Sequence, residues 1–291
     1  MLKSNLLLNY FRVTVPYYIP IAIMGAFVGM TASGGIFTYN ILLAFLSLAF
    51  LVAAFNTLNC VIDVSVDKIN KPHRPIPAGK ISRKNALIYS LILYALSLIS
   101  AYQLTLEFFL ITLASTILTI FYSIPKIRFK KRFLVNNLTG GIFYGLLCPL
   151  AGWALTPINP IPIYLIIFVF ILSLSLSVTK DFEDVIGDKA YAIKTIPTTF
   201  GIRNAARLFS ILIVFSFVYI MFLVGFNLIR HEFIFSVLML PAFLYLIKKV
   251  YEKPKSFYNS LDERSTARRI FFMLIGLGVL AELLIGIIAL F

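Results

Sequence analysis

Apolar residues run along this chain in nine long blocks separated by short polar loops. The blocks fall at roughly 13–33, 38–62, 85–103, 106–124, 135–155, 160–179, 206–226, 231–249 and 268–291. A helix needs about 20 apolar residues to cross the hydrocarbon of a bilayer. Inside lipid every backbone N–H and C=O must be satisfied within the segment, which favours helices. The pattern predicts an all-α polytopic membrane protein of nine transmembrane helices, with residues 1–291 forming one transmembrane domain. No stretch reads as a soluble domain or a long linker.

Composition agrees: 60% of the residues are hydrophobic, against roughly 45–50% in soluble domains. The chain carries a net charge of +14, and its placement gives it a meaning. Of 26 Lys and Arg, 25 lie near the N-terminus or in alternate loops, and only Arg230 lies on the other side. The positive-inside rule then puts the N-terminus and four basic loops in the cytoplasm, in a multi-pass protein of the cell membrane. The basic excess is therefore topological first, and second a field that attracts anionic head groups and phosphates. Nucleic-acid binding needs a domain to carry the basic surface, so no nucleic-acid partner is expected. Cys60 and Cys148 both sit in apolar segments, which argues against a disulfide framework. The first apolar segment lacks a small-residue cleavage site, so no cleavable signal peptide is expected.

The acids carry the chemistry. Asn59, Asp63 and Asp67 fall four apart, on one face of a helix if the helix continues. Asp184 and Asp188 repeat the spacing, with Asp181 three before Asp184. Asp63 to Asp184 and Asp67 to Asp188 share an offset of 121 residues, and Ile76-Pro77 matches Ile196-Pro197 at 120. This reads as an old internal duplication, with motifs near 56–86 and 177–206. Both clusters close helices on the same side, so the repeat is parallel. That weakens a cation-coupled transporter, the alternative outside enzyme chemistry, because inverted repeats are frequent there.

Carboxylates at the membrane edge cost free energy and repel one another at i,i+4. A hard divalent cation offsets both. Mg²⁺ takes one or two carboxylates and fills its other positions with water and phosphate oxygens. Asn59, in register with the aspartates, reads as part of that site, and Asn56 as an interhelical hydrogen-bonding group. Arg74 offers a planar fork suited to phosphate, while His73 reads as a loop residue. Tyr122 and Ser123 end the fourth segment with hydroxyls that could reach a diphosphate; an aromatic-belt role is the other reading of Tyr122. Gly140, Gly141 and Gly145 read as close helix packing rather than a phosphate loop.

At these residues a family is recognisable. The run N-C-V-I-D-V-S-V-D, Asn59 to Asp67, followed by R-P-I-P-A-G, Arg74 to Gly79, resembles the first Asp-rich motif of the UbiA-type intramembrane prenyltransferases. The run K-D-F-E-D-V-I-G-D, Lys180 to Asp188, resembles their second. One departure stands out: Cys60 replaces the Asp that usually follows the first Asn. At about 100° from Asn59 around a helix, it is expected to lie off the metal face and not to be a ligand.

The resemblance implies a helical bundle around a central cavity that holds a polyprenyl diphosphate. Two Mg²⁺ ions would be held by Asn59, Asp63, Asp67, Asp181, Asp184 and Asp188, with Arg74, Tyr122, Ser123, Lys126, Arg128 and Lys180 around the substrate. Within the family, the loop Asp67–Ser82 is most similar to members that move a geranylgeranyl group from geranylgeranyl diphosphate onto geranylgeranylglyceryl phosphate in archaeal ether-lipid synthesis. The implied partners are that donor, a lipid-like phosphorylated acceptor and membrane lipids. Lys126, Arg128 and Lys130 are expected to hold the acceptor phosphate. An aromatic acceptor of the quinone type is the alternative.

Overall fold

The computed structural model describes residues 2–35, 38–157, 159–252 and 266–291. Lys253, Lys255 and Arg264 of the last basic loop lie outside the described residues. The helices, in chain order, are α1 (Leu2–Val13), α2 (Ile19–Ala32), α3 (Tyr39–Ile62), α4 (Val64–Asn70), α5 (Arg83–Tyr102), α6 (Leu106–Ser123) and α7 (Val135–Ile142). They continue with α8 (Cys148–Trp153), α9 (Ile163–Thr179), α10 (Val185–Ala190), α11 (Ile196–Phe200), α12 (Ile202–Gly225), α13 (Leu240–Glu252) and α14 (Thr266–Leu290). Polar side chains cap the starts of α5 and α6. Ser82 Oγ accepts from Asn85 N at 3.1 Å ahead of α5, and Thr105 Oγ1 accepts from Phe108 N at 3.1 Å ahead of α6.

Each of the nine apolar blocks is helical, but not every block is one long unbroken helix. Among the described residues six helices are long and apolar enough to cross a membrane. A seventh is added if Asn5–Val13 and Pro16–Ala32, bent by 45° at their junction, count as one. The block at 160–179 yields only the 17 residues of α9, roughly 25 Å of helix, because Pro160 and Pro162 hold back its start. The block at 135–155 is broken into α7, a π-helical stretch at Phe143–Leu147, and α8. Pro149 contributes to that widening, since it has no N–H to donate.

The two larger apolar cores among the described residues draw mainly on opposite halves of the chain. Leu48, Leu51, Leu93, Phe108 and Phe143 centre the first, and Phe168, Phe209, Phe217 and Phe243 the second. Glycines let the backbones meet. A Cβ on Gly145 would be 2.8 Å from the Val169 carbonyl oxygen, and one on Gly141 3.2 Å from Leu174 Cβ, so this glycine run does serve packing of the broken span on α9. The closest approach joins α2 to α8. A Cβ on Gly152 would collide with the Ala26 carbonyl, and one on Gly29 with that of Pro149. Gly152→Ala is therefore expected to destabilise the protein by about 1–3 kcal/mol or more, read as a lowered Tm in detergent. Gly225→Ala, which would meet nothing within 4 Å, is the neutral control.

Candidate active site

Both acidic motifs sit at the same kind of joint. Helix α3 stops at Ile62, and Asp63 (φ −91°, ψ 15°) leads into α4. Asp184 (φ −100°, ψ 0°) leads into α10. The expectation of one unbroken helix through Asn59, Asp63 and Asp67 is therefore corrected: the helix is interrupted at Asp63. Asp63 N still donates to Asn59 O at 2.9 Å and Asp67 N to Asp63 O at 2.8 Å. Residues in this bridge conformation let the chain bend while the ladder continues, so the turn-on-turn order of the three side chains survives.

Helices α4 and α10 are clamped together by Asn70. Its Nδ2 donates to the Asp184 carbonyl at 2.9 Å, and its Oδ1 accepts from Gly187 N at 2.7 Å. Only glycine fits opposite, because a Cβ on residue 187 would be 2.6 Å from Asn70 Oδ1. This clamp ties the two motifs into one site.

The site is a network of opposite charges. Lys71 Nζ lies 2.6 Å from Asp184 Oδ1 and 3.1 Å from Glu183 Oε1. Arg74 Nη1 lies 2.8 Å from Asp67 Oδ2. Asp63 takes Arg128 Nη2 at 2.7 Å on one oxygen and Lys130 on the other. Burial alone would raise the Asp63 carboxyl, but Lys130 and Arg128 outweigh it and hold it below the usual range. Asp181 accepts from Asn136 at 2.9 Å and Asn137 at 3.3 Å. Asn136 Oδ1 in turn accepts from Tyr122 OH at 2.7 Å and Lys180 Nζ at 2.9 Å. Asp188 stands apart. Burial first, and then the charge of Asp184, push it up to about 8.

A cavity opens onto this network. Of the residues singled out from the sequence, Asn59, Arg74, Tyr122, Lys180, Asp181 and Asp184 line it, and so do Lys71 and Lys130. Away from the charges its wall turns aromatic and aliphatic, with Tyr18, Phe55, Phe143, Tyr144, Leu176 and Ile275. Asp63 and Asp67 stand behind the wall, bonded to the lining residues Lys130 and Arg74. Arg128 is held on Asp63, Lys126 is exposed, and Ser123 is buried with its hydroxyl unpartnered. Cys60 also lines the cavity, with its Sγ 3.5 Å from Arg74 Nη1; the wall wraps further round α3 than the Asn59 face. Lys71, Asn70, Asn136 and Asn137 were not legible as site residues. Two signals were available: Lys71 at four residues after Asp67, and the two asparagines opening an otherwise apolar segment.

Oxygen is the donor chemistry facing this space. Asn59 Oδ1 and Asp188 Oδ1 are buried acceptors with no hydrogen-bond partner, which suits a hard cation such as Mg²⁺. Among the described residues no three Asp, Glu, His or Cys side chains converge to hold a metal. The lysines and arginines draw the carboxylates aside and neutralise them.

Comparison with known proteins agrees with this geometry. The model of the UbiA prenyltransferase family matches residues 19–275. A digeranylgeranylglyceryl phosphate synthase of Methanosphaera stadtmanae is 34% identical over 63% of this chain and 66% of its own length. That of Methanothermobacter thermautotrophicus is 34% identical over 81% of this chain and 80% of its own. The solved structure of a UbiA homologue from Archaeoglobus fulgidus bound to GPP and Mg²⁺ superposes with a TM-score of 0.72 at 21% identity, over 97% of this chain and 99% of the other. The chain belongs to the UbiA prenyltransferase family.

Proposed function

We propose that this chain transfers a geranylgeranyl group from geranylgeranyl diphosphate to the free hydroxyl of geranylgeranylglyceryl phosphate. The products are digeranylgeranylglyceryl phosphate, diphosphate and a proton. The observation that carries the reading is a single cavity, charged at one end and aromatic and aliphatic along the rest. The names borne by the relatives support the choice of donor and acceptor. In this reading nine segments cross the cell membrane, the N-terminus is cytoplasmic and the charged end of the cavity faces the cytoplasm, where most of the Lys and Arg lie.

The diphosphate of the donor occupies the charged end and the prenyl chain lies along the apolar wall. Asn59, Asp63, Asp67, Asp181, Asp184 and Asp188 would hold two Mg²⁺ ions, which supply charge neutralisation to the leaving diphosphate. Lys71, Arg74, Lys130 and Lys180 line the same space. Lys71, Arg74 and Lys130 exchange carboxylate partners for phosphate oxygens as the substrate enters, and Lys180 adds its charge from beside Tyr122 and Asn136. The bond from prenyl C1 to diphosphate breaks, C1 becomes cation-like, and the acceptor oxygen bonds to it and loses its proton. The aromatic wall keeps water away from that cation. Charged groups at the membrane edge and a parallel duplication of the two motifs fit this chemistry.

Purified protein incubated with Mg²⁺ and labelled geranylgeranyl diphosphate tests it. Geranylgeranylglyceryl phosphate is expected to be the preferred acceptor, and chelation of the metal is expected to stop the reaction. Equal or better turnover of 4-hydroxybenzoate or of the dephosphorylated alcohol would replace this reading with the aromatic or alcohol acceptor.

A further inference from the structure

A second pocket adjoins the main cavity. Arg12 at the end of α1, Lys71, His73 and Arg74 after α4, Glu183, and Arg268 at the start of α14 all line it. Four cationic side chains from three distant parts of the chain line it with one carboxylate. Asp67 holds Arg74 and Asp184 holds Lys71 from behind, and a further anion seated in the pocket would be attracted by all four. Glu183 is already 3.1 Å from Lys71. We propose that this pocket receives the phosphomonoester of the acceptor, while the diphosphate of the donor takes the main cavity.

Two features favour a phosphate there. Arg268 is held in place: its guanidinium lies 5.6 Å from the centre of the Phe272 ring, and that ring packs edge-on against Tyr17 at 4.9 Å. Its Nη1 donates to His73 Nε2 at 3.0 Å. A guanidinium only donates, so His73 accepts at Nε2. Preorganised, charge-assisted donors of this kind suit phosphate oxygens.

The second feature is position. Lys71 and Arg74 line both pockets, so they form the wall between them. On a glycerol backbone the phosphate and the free hydroxyl are never more than three carbons apart. A phosphate seated beside Arg268 therefore leaves the hydroxyl at the shared wall, next to where prenyl C1 would lie. In the loop expected to serve this purpose, Lys130 lines the main cavity, Arg128 is held on Asp63 and Lys126 is exposed.

This inference rests on the proposed acceptor, and one set of measurements separates the two. Arg268→Gln and Arg12→Gln are assayed beside the unaltered protein with geranylgeranylglyceryl phosphate and geranylgeranyl diphosphate. Glycerol phosphate is added as a competitor. Arg268→Gln is expected to raise the acceptor KM by about tenfold to a hundredfold. The donor KM stays within about twofold, and inhibition by glycerol phosphate weakens in parallel with the acceptor KM. Arg12→Gln, at an exposed position, shifts the same quantities in the same direction and serves if the first variant folds poorly. A rise in donor KM with the acceptor KM unchanged assigns the pocket to diphosphate and overturns the proposal. Unchanged kinetics with weakened binding to phosphatidylglycerol vesicles makes it a lipid head-group site and also overturns it. If the unaltered protein does not use the phosphorylated acceptor, the functional reading fails and the proposal falls with it. If it does, and neither variant moves the acceptor KM, only the pocket assignment fails.

Discussion

Asp184→Ala is expected to lower kcat by about a thousandfold or more with the fold retained. Asp63→Ala is expected to lose as much activity and to lose stability as well. Both aspartates open a short helix after a long one, and the offset of 121 residues assigns them matching roles. Removing one fixed charge from preorganised charge stabilisation costs about 10²–10³ in rate, and losing metal occupancy adds to that. The difference between the variants lies in what each leaves behind. Asp63 is 2% exposed and neutralises both Arg128 and Lys130. Its loss strands two shielded cations, and breaking buried pairs of this kind costs about 3–5 kcal/mol. Asp184 shares Lys71 with Glu183, which stays 3.1 Å away, so its removal leaves Lys71 paired. Turnover of labelled donor at saturating Mg²⁺, beside Tm in detergent, checks both statements. Near-normal turnover in either variant would sink the shared site.

The same aspartates show how far the sequence reaches. Their spacing and the offset between motifs depend on local periodicity, which a sequence displays directly. The break in the helix at Asp63 does not. Four-residue spacing fits a continuous helix and a bent one equally, since both keep the bonds from Asp63 N to Asn59 O and from Asp67 N to Asp63 O. Pairing across the site was hidden for another reason. Lys71 meets Asp184 across 113 residues and Asn70 meets Gly187 across 117, and no pattern within one segment specifies its partner in another. Helix length was hidden in a third way. Pro160 and Pro162 delay the helix in the block at 160–179, which leaves the 17 residues of α9, and apolar character carries no information about backbone hydrogen bonds. Asn136 and Asn137 were passed over as part of an apolar block. Their weight comes only from Asp181, Tyr122 and Lys180, which converge on them from α6 and the end of α9.

That convergence sets up the second large effect. Lys180→Met is expected to cut kcat/KM for the donor by about a hundredfold to a thousandfold, and Tyr122→Phe by about tenfold. Lys180 Nζ is 3.1 Å from the Tyr122 hydroxyl and 2.9 Å from Asn136 Oδ1, and 5.1 Å from the centre of the Tyr122 ring. It lines the cavity beside Asp181 and Asp184. Burial works against its charge, but Tyr122 and Asp181 outweigh it and the ammonium is held above its usual range, so it stays a cation through neutral pH. A fixed cation at that point attracts the leaving diphosphate, whose charge grows as the C1–O bond breaks, so the loss should fall on kcat as well as on KM. Methionine keeps the length of the stem and removes only the charge and the donors. The shared acceptor Asn136 Oδ1 couples the two residues, so the double variant should lose less than the product of the single losses. Steady-state kinetics of the two single variants and the double variant measure that coupling. Fully multiplicative losses would show that Lys180 and Tyr122 act separately, and an unchanged kcat in Lys180→Met would remove Lys180 from the stabilisation of the leaving group.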